Sequence, residues 1–167
     1  MKKSKRLAAA SATFGARHRA IELLFGAVFC LGSPAALAQD GLIGFVKTVQ
    51  AEASLIVDGK PIKAVPGMPL QTGFVIKTGP HGSLGMTLRD NTMMSVGPNT
   101  EFVVEQYLYS PGNGELKLWA RLSRGTLQYV SGVIAKLKPE GVAIRIPTGV
   151  VGVRGTQFLL MVEDEKS

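Results

Sequence analysis

The sequence predicts an all-β domain preceded by a helical signal peptide. Three observations carry that reading. Apolar and polar residues alternate with a period of two through most of the chain after residue 40, clusters of glycine and proline punctuate the alternation, and no stretch of helical period follows the leader.

The leader comes first. Met1 to Ala20 is positively charged through Lys2, Lys3, Lys5, Arg6, Arg17 and Arg19, and Leu23 to Leu31 (LLFGAVFCL) is an unbroken apolar run. Gly32, Ser33 and Pro34 break the run, and Ala36-Leu37-Ala38 sets small residues before Gln39. Charged, apolar and small-residue regions in that order mark a secretory signal peptide. Cleavage is expected after Ala38, giving a signal peptide over 1–38 and a β-domain over 39–167 whose core spans about 42–162. Nine apolar residues fall short of the roughly 20 that a helix needs to cross a bilayer, so no stable membrane span is expected after cleavage. Bulky Phe29 before Cys30 argues against lipidation. The expected location is periplasmic or secreted.

Charge follows the same division. The chain carries a net +7, yet from residue 39 onward 13 cationic residues face 11 anionic ones. Such a near-balanced domain lacks the electrostatic footprint of a nucleic-acid binder, and no nucleic-acid partner is expected. The single cysteine, Cys30, belongs to the leader, so the domain has no disulfide, thiolate metal site or cysteine nucleophile of its own.

The strands can be read in order. Leu84, Met86 and Leu88 alternate with Ser83, Thr87 and Arg89. Phe102, Val104, Gln106 and Leu108 alternate with Val103, Glu105, Tyr107 and Tyr109. Leu116, Leu118, Ala120 and Leu122 share one face, opposite Lys117, Trp119, Arg121 and Ser123, and Val142, Ile144 and Ile146 flank Ala143 and Arg145. Turn signals fall between them at Asp58-Gly59, Pro66-Gly67, Gly79-Pro80, Gly97-Pro98-Asn99, Pro111-Gly112-Asn113-Gly114 and Pro139-Glu140-Gly141. Sandwich, barrel and β-solenoid share this pattern.

Catalytic equipment is sparse, and no enzyme and no cofactor are expected. His81 is the only histidine outside the leader and sits in a Gly-Pro-His-Gly turn. The acidic residues are scattered, with no spacing that forces two carboxyl groups together, and no phosphate loop, HExxH helix or Gly-x-Ser-x-Gly elbow occurs.

Several motifs then recur in a set order. Gly44-Phe45-Val46 is followed by Pro66-Gly67-Met68-Pro69-Leu70-Gln71-Thr72-Gly73 and Val75-Ile76-Lys77-Thr78-Gly79. Next come Leu88-Arg89-Asp90-Asn91-Thr92, Val96-Gly97-Pro98-Asn99-Thr100 and finally Ile146-Pro147-Thr148-Gly149-Val150-Val151-Gly152-Val153-Arg154-Gly155-Thr156-Gln157-Phe158. This order resembles the periplasmic FecR domain, over roughly residues 42 to 162, and its closing Gly152-Val153-Arg154-Gly155-Thr156 is the most specific part. Two positions depart from the family pattern: Phe74 stands where aspartate is common, and Asn91-Thr92 replaces Gly-Ser. FecR-type regulators join a sigma-factor-binding segment, a membrane span and this domain. Only 20 residues precede the apolar region here, so the resemblance implies a stand-alone interaction or sensing module in envelope signalling or assembly. Its expected partner is an envelope protein or a glycan.

Two residue groups follow as candidates. The closing motif reads as structural, with Arg154 between Gly152 and Gly155, its donors available to tie loop carbonyls. The candidate contact surface is Trp119 with Lys117 and Arg121 on the polar face of one strand, extended by Tyr107 and Tyr109; the same aromatics would form the stacking platform of a carbohydrate- or peptidoglycan-binding module. The serial order of turns and strands, together with the resemblance, favours a twisted, solenoid-like stack or a two-layer roll. Its core is expected to hold Leu84, Met86, Leu88, Phe102, Val104, Leu116, Leu118, Leu122, Val142, Ile144, Ile146, Phe158 and Leu160, with the strand from Thr156 to Val162 returning to pair within it.

Overall fold

The structure, a computed structural model, describes residues 41–153 and 157–163. The leader, its expected cleavage site and Arg154-Gly155-Thr156 lie outside the described residues.

Strands dominate. They are β1 (Leu42–Gln50), β2 (Ala53–Val57), β3 (Lys60–Lys63), β4 (Pro69–Gln71), β5 (Val75–Thr78), β6 (Ser83–Leu88), β7 (Met93–Val96), β8 (Glu101–Ser110), β9 (Glu115–Val130), β10 (Val142–Ile146), β11 (Gly149–Gly152) and β12 (Gln157–Val162), with one short helix, α1 (Val133–Leu137), before β10. All the strands join one curled, largely antiparallel sheet, a half-barrel. Its order runs β3-β2-β5-β8-β9-β7-β6-β1-β4, with β10, β11 and β12 on the other side of β9.

The 16-residue β9 is the spine. Its first part pairs with β8 on one side and, in parallel, with β10 on the other; its last six residues pair with β7 and β12. Gly125, at φ 86, marks the changeover with a backbone conformation that residues bearing a side chain rarely adopt. The Asp58-Gly59 signal makes the two-residue hairpin between Val57 and Lys60, both central residues having positive φ, as the twist of the flanking strands requires.

The expected core is present. Leu84, Met86, Leu88, Phe102, Val104, Leu116, Leu118, Leu122, Val142 and Ile144 are buried, and Ile146, Phe158 and Leu160 pack half-buried against them. Alternation keeps Leu116 and Leu118 inside while Arg121 is exposed. The last strand does return: β12 lies antiparallel to β9, and the Phe158 ring stacks on Tyr129 at 4.9 Å between centroids. Tyr129, Leu127, Met94 and Ile134 of α1 complete the cluster.

Two expectations need correction. The strand order is not that of a solenoid-like stack of serial hairpins, because β2 neighbours β5, β5 neighbours β8, β1 neighbours β6 and β7 neighbours β9. Turn signals show where the chain reverses but not which strand becomes the neighbour, and a sheet curled over one core is nearer to the roll. The second correction is local. The alternation read through Phe102, Val104, Gln106 and Leu108 breaks at a bulge, since Val104 opposes Ala120 and Gln106 opposes Trp119, with Glu105 extra between them. Beyond it Gln106 and Leu108 turn outward, Leu108 being 49% exposed, while Tyr107 and Tyr109 turn toward the core.

Candidate functional site

The recurring motifs fold into turn staples. Asp90, in the turn between β6 and β7, is fully buried. Its Oδ2 accepts a hydrogen bond from the Thr92 hydroxyl at 2.7 Å and from the Ile134 amide at 3.2 Å. Its Oδ1 accepts from the Thr92 amide and from the Tyr107 hydroxyl, and the Asp90 amide in turn donates to the Tyr107 Oη at 2.9 Å. One side chain thus ties a hairpin turn, the bulged strand β8 and the start of α1. Gly132 closes the arrangement, because a Cβ there would run into the Asp90 carbonyl and the Thr92 amide. Farther along, the Thr78 hydroxyl donates to the Gly97 carbonyl at 2.6 Å and accepts from the Thr100 amide, while Thr100 Oγ1 accepts from the Thr126 amide.

The departures noted in the sequence preserve this physics. Asn91 adopts φ 64, the left-handed conformation natural to glycine and tolerated by asparagine. Thr92 keeps the hydroxyl that a serine would offer to Asp90. Phe74 packs half-buried against the core where a polar residue would lie on the surface.

Burial first, then the negative charge of Asp90, pushes the Tyr107 hydroxyl well above the ordinary tyrosine range. Burial also raises Tyr129. The neutral Tyr107 hydroxyl suits a hydrogen-bonding strut better than an acid or base. Among the described residues no cluster of histidine, cysteine, aspartate and glutamate could hold a metal ion.

The candidate contact residues separate into two faces. Tyr107 and Tyr109 oppose Leu118 and Leu116 on the inner side, so they leave the expected patch. Trp119 lies on the outer side, 36% exposed, with the Lys117 ammonium 4.3 Å from its ring centroid and a 3.1 Å hydrogen bond from that ammonium to Gln106. Arg121, one step along, pairs with Glu105 at 2.9 Å, and Arg145 on β10 reaches the other oxygen of Glu105 at 3.7 Å.

The bulge creates this meeting. The extra residue, Glu105, stands between the positions opposite Trp119 and Ala120, and parallel pairing of β10 with β9 sets Ala143 beside Trp119 and Arg145 beside Arg121. Beside Trp119 lies a mostly apolar hollow of about 100 Å³, lined by Ala120, Ala143 and Val150 with Glu105 and Arg145 at its border. Glu105, Ala143, Arg145 and Val150 were not among the residues expected from sequence. Only the period-two phase of Ala143 and Arg145 offered a hint, and nothing local announces that their strand lies beside Trp119. Of the closing motif, Gly152 ends β11 on the surface and Val153 is buried in the core.

The site is therefore an exposed indole with Lys117 over its ring and, beside it, two arginines that share one carboxyl group, on the outer face of the sheet. It can bind by area, charge and an apolar recess.

The FecR protein family model matches residues 74–167, more than half of the chain. No curated protein and no solved structure matches it. That match covers the Asp90 turn, the Thr100 staple, the whole of β9 and the closing strands, which are the elements that build both the core and the exposed face. The chain belongs to the FecR family.

Proposed function

We propose that this domain is a non-catalytic interaction and sensing module of envelope signalling, acting in the periplasm after removal of its leader, and that it receives a protein partner on the outer face of β8, β9 and β10. The observation that carries the reading is Trp119. A tryptophan more than a third exposed, on a strand whose inner residues are fully packed, supplies the contact area typical of interface anchors. The cations around it would orient an approaching partner. The buried polar groups serve the fold, which leaves this face as the chemistry on offer.

A glycan reading loses its main support. A stacking platform of Trp119 with Tyr107 and Tyr109 requires the three rings on one face, and the two tyrosines pack inward. The lone indole also has its ring approached by Lys117.

The test is affinity capture from an envelope extract by the purified protein, with Trp119→Ala as the control. A specific protein retained by the native chain and lost at least about tenfold with Trp119→Ala is expected, because an anchoring tryptophan at an interface contributes about 2 kcal/mol or more. Retention by purified sacculi instead, or capture that ignores Trp119, would reject the proposal.

A further inference from the structure

Gly152 is a glycine that the fold does not require. Its φ lies outside the left-handed region, and a Cβ built on it meets nothing within 4 Å. Gly132, by contrast, is closed in by backbone on the Asp90 turn. At Gly152 the side chain is missing in front of space that no described residue fills.

What the missing side chain uncovers follows from the register. Gly152 opposes Ala143, and Ala143 lies beside Trp119. Across the outer face the side chains therefore step down from indole to methyl to hydrogen. The recess against Trp119 opens toward β11, which pairs only with β10 among the described residues. On β11 it is Val150 that lines this recess, while Gly152 borders, with Ala143, a broader hollow of about 710 Å³ that continues toward Pro139, Glu140 and Val153. On the next row Arg121, Arg145 and the 65%-exposed Val150 follow one another. Two cations, Arg121 and Arg145, share one carboxyl group, Glu105, and a third, Lys117, lies over the Trp119 ring.

From this arrangement we infer that the face takes an extended, acidic protein segment lying alongside β11, with one aliphatic side chain set over Gly152 and Ala143 against Trp119. The inference rests on the protein-partner reading above and names the chemistry of that partner. Charge selects the acidic segment, because beside Trp119 Arg121 and Arg145 share the single carboxyl group of Glu105 among the described residues and retain donors for a second, Glu140 lying on the broader hollow beyond Gly152. The apolar recess selects a protein over a sugar acid or a phosphate, since neither of those brings an aliphatic group to fill it. A strand that pairs on one side only among the described residues selects an extended conformation.

A synthetic peptide of alternating glutamate and threonine with one central leucine is the probe, titrated into the purified full-length chain while the emission of its single tryptophan is followed. Saturable binding that weakens with added salt is expected. Replacing the leucine by serine should cost about tenfold or more, in keeping with one buried aliphatic side chain. Gly152→Val fills the gap without a clash, so it should weaken binding by a similar factor while leaving the melting temperature unchanged, and Arg145→Glu should do the same through charge. If Gly152→Val perturbs folding, Ala143→Leu blocks the recess from the neighbouring strand. Equal binding of the leucine and serine peptides overturns the inference, as does equal binding of a lysine-for-glutamate peptide. So does a recess filled by a second copy of this chain, seen as Gly152-dependent dimerisation in sedimentation without peptide binding. An envelope partner that depends on Trp119 but ignores Gly152→Val and Arg145→Glu would leave the broader function standing and reject this refinement alone.

Discussion

Asp90 shows how much one short side chain can hold. Four donors from three elements converge on its carboxyl oxygens, and three of the four belong to the fully buried Thr92 and Ile134. Removing the acceptor strands buried donors, and each costs on the order of 1–3 kcal/mol. Asp90→Ala is expected to destabilise the domain by about 3 kcal/mol or more, measured by urea denaturation; a loss below 1 kcal/mol would show that the donors find other partners. Tyr107 makes a matching prediction with pH. Its folded-state pKa is raised above the ordinary value of 10.0, so above that pH the unfolded chain releases a proton that the folded chain retains. Stability is then full below pH 10 and falls as pH rises beyond it, and Tyr129 adds to the same slope. Tyr107→Phe should be less stable at neutral pH yet show a shallower decline between about pH 10 and 11. An unchanged slope would remove Tyr107 from the account.

At the scale of the element, the bulge at Glu105 decides what the sheet displays. Without it, the tyrosines would lie on the outer face beside Trp119 and the Asp90 staple would lose its strut. Removing Glu105 itself would take out the extra residue and leave the tyrosines inward, whereas one alanine inserted between Gln106 and Tyr107 turns every later residue of β8 to the other face and should cost about 3 kcal/mol or more in a thermal or urea melt. The same bulge explains what the sequence revealed and what it hid. Strands with unbroken alternation, such as Leu84–Leu88 and Leu116–Leu122, could be assigned a buried face residue by residue. Tyr107 and Tyr109 could not, because an inserted residue inverts the phase without any compositional mark. Tyr129 was missed for a related reason: the step from Leu122 to Leu127 is odd in number, and the strand continues through Gly125 after a change of phase. Pairings across the chain, which bring Ala143 and Arg145 to Trp119, have no local signature at all. Edge strands supply a further prediction. β3 is guarded by Lys60, Pro61 and Lys63, β4 by Pro69, and β11 is four residues with a glycine at each end. β12 carries no charge and no proline, and Leu159 and Met161 are 69% and 65% exposed. Leu159→Lys should raise the concentration at which the protein remains monodisperse in light scattering, with stability altered by no more than about 0.5 kcal/mol.

For the whole molecule, β9 is the organising element, since it joins the two parts of the sheet and contributes Leu118, Ala120, Leu122, Leu127 and Tyr129 to one core. A chain ending at Gly114 has β1 to β8 but lacks the strand with which both β7 and β8 pair. It should give a coil-like far-ultraviolet circular dichroism spectrum and no cooperative melt, and a native-like melt would disprove the central role of β9. The position of this strand also sets a clock on folding. Its partners begin at Met93 and reach Val162, so the sheet cannot close until the chain from β1 through Val162 is available at once. Contacts so distant along the chain form slowly, because the loop between them must be closed before any pairing repays the lost freedom. For the export route proposed above, this delay is an asset. A translocating polypeptide has to remain a thread until it is across, and a topology whose keystone pairs with β12 keeps the domain threadable until that strand is available, without the help of a dedicated unfolding signal.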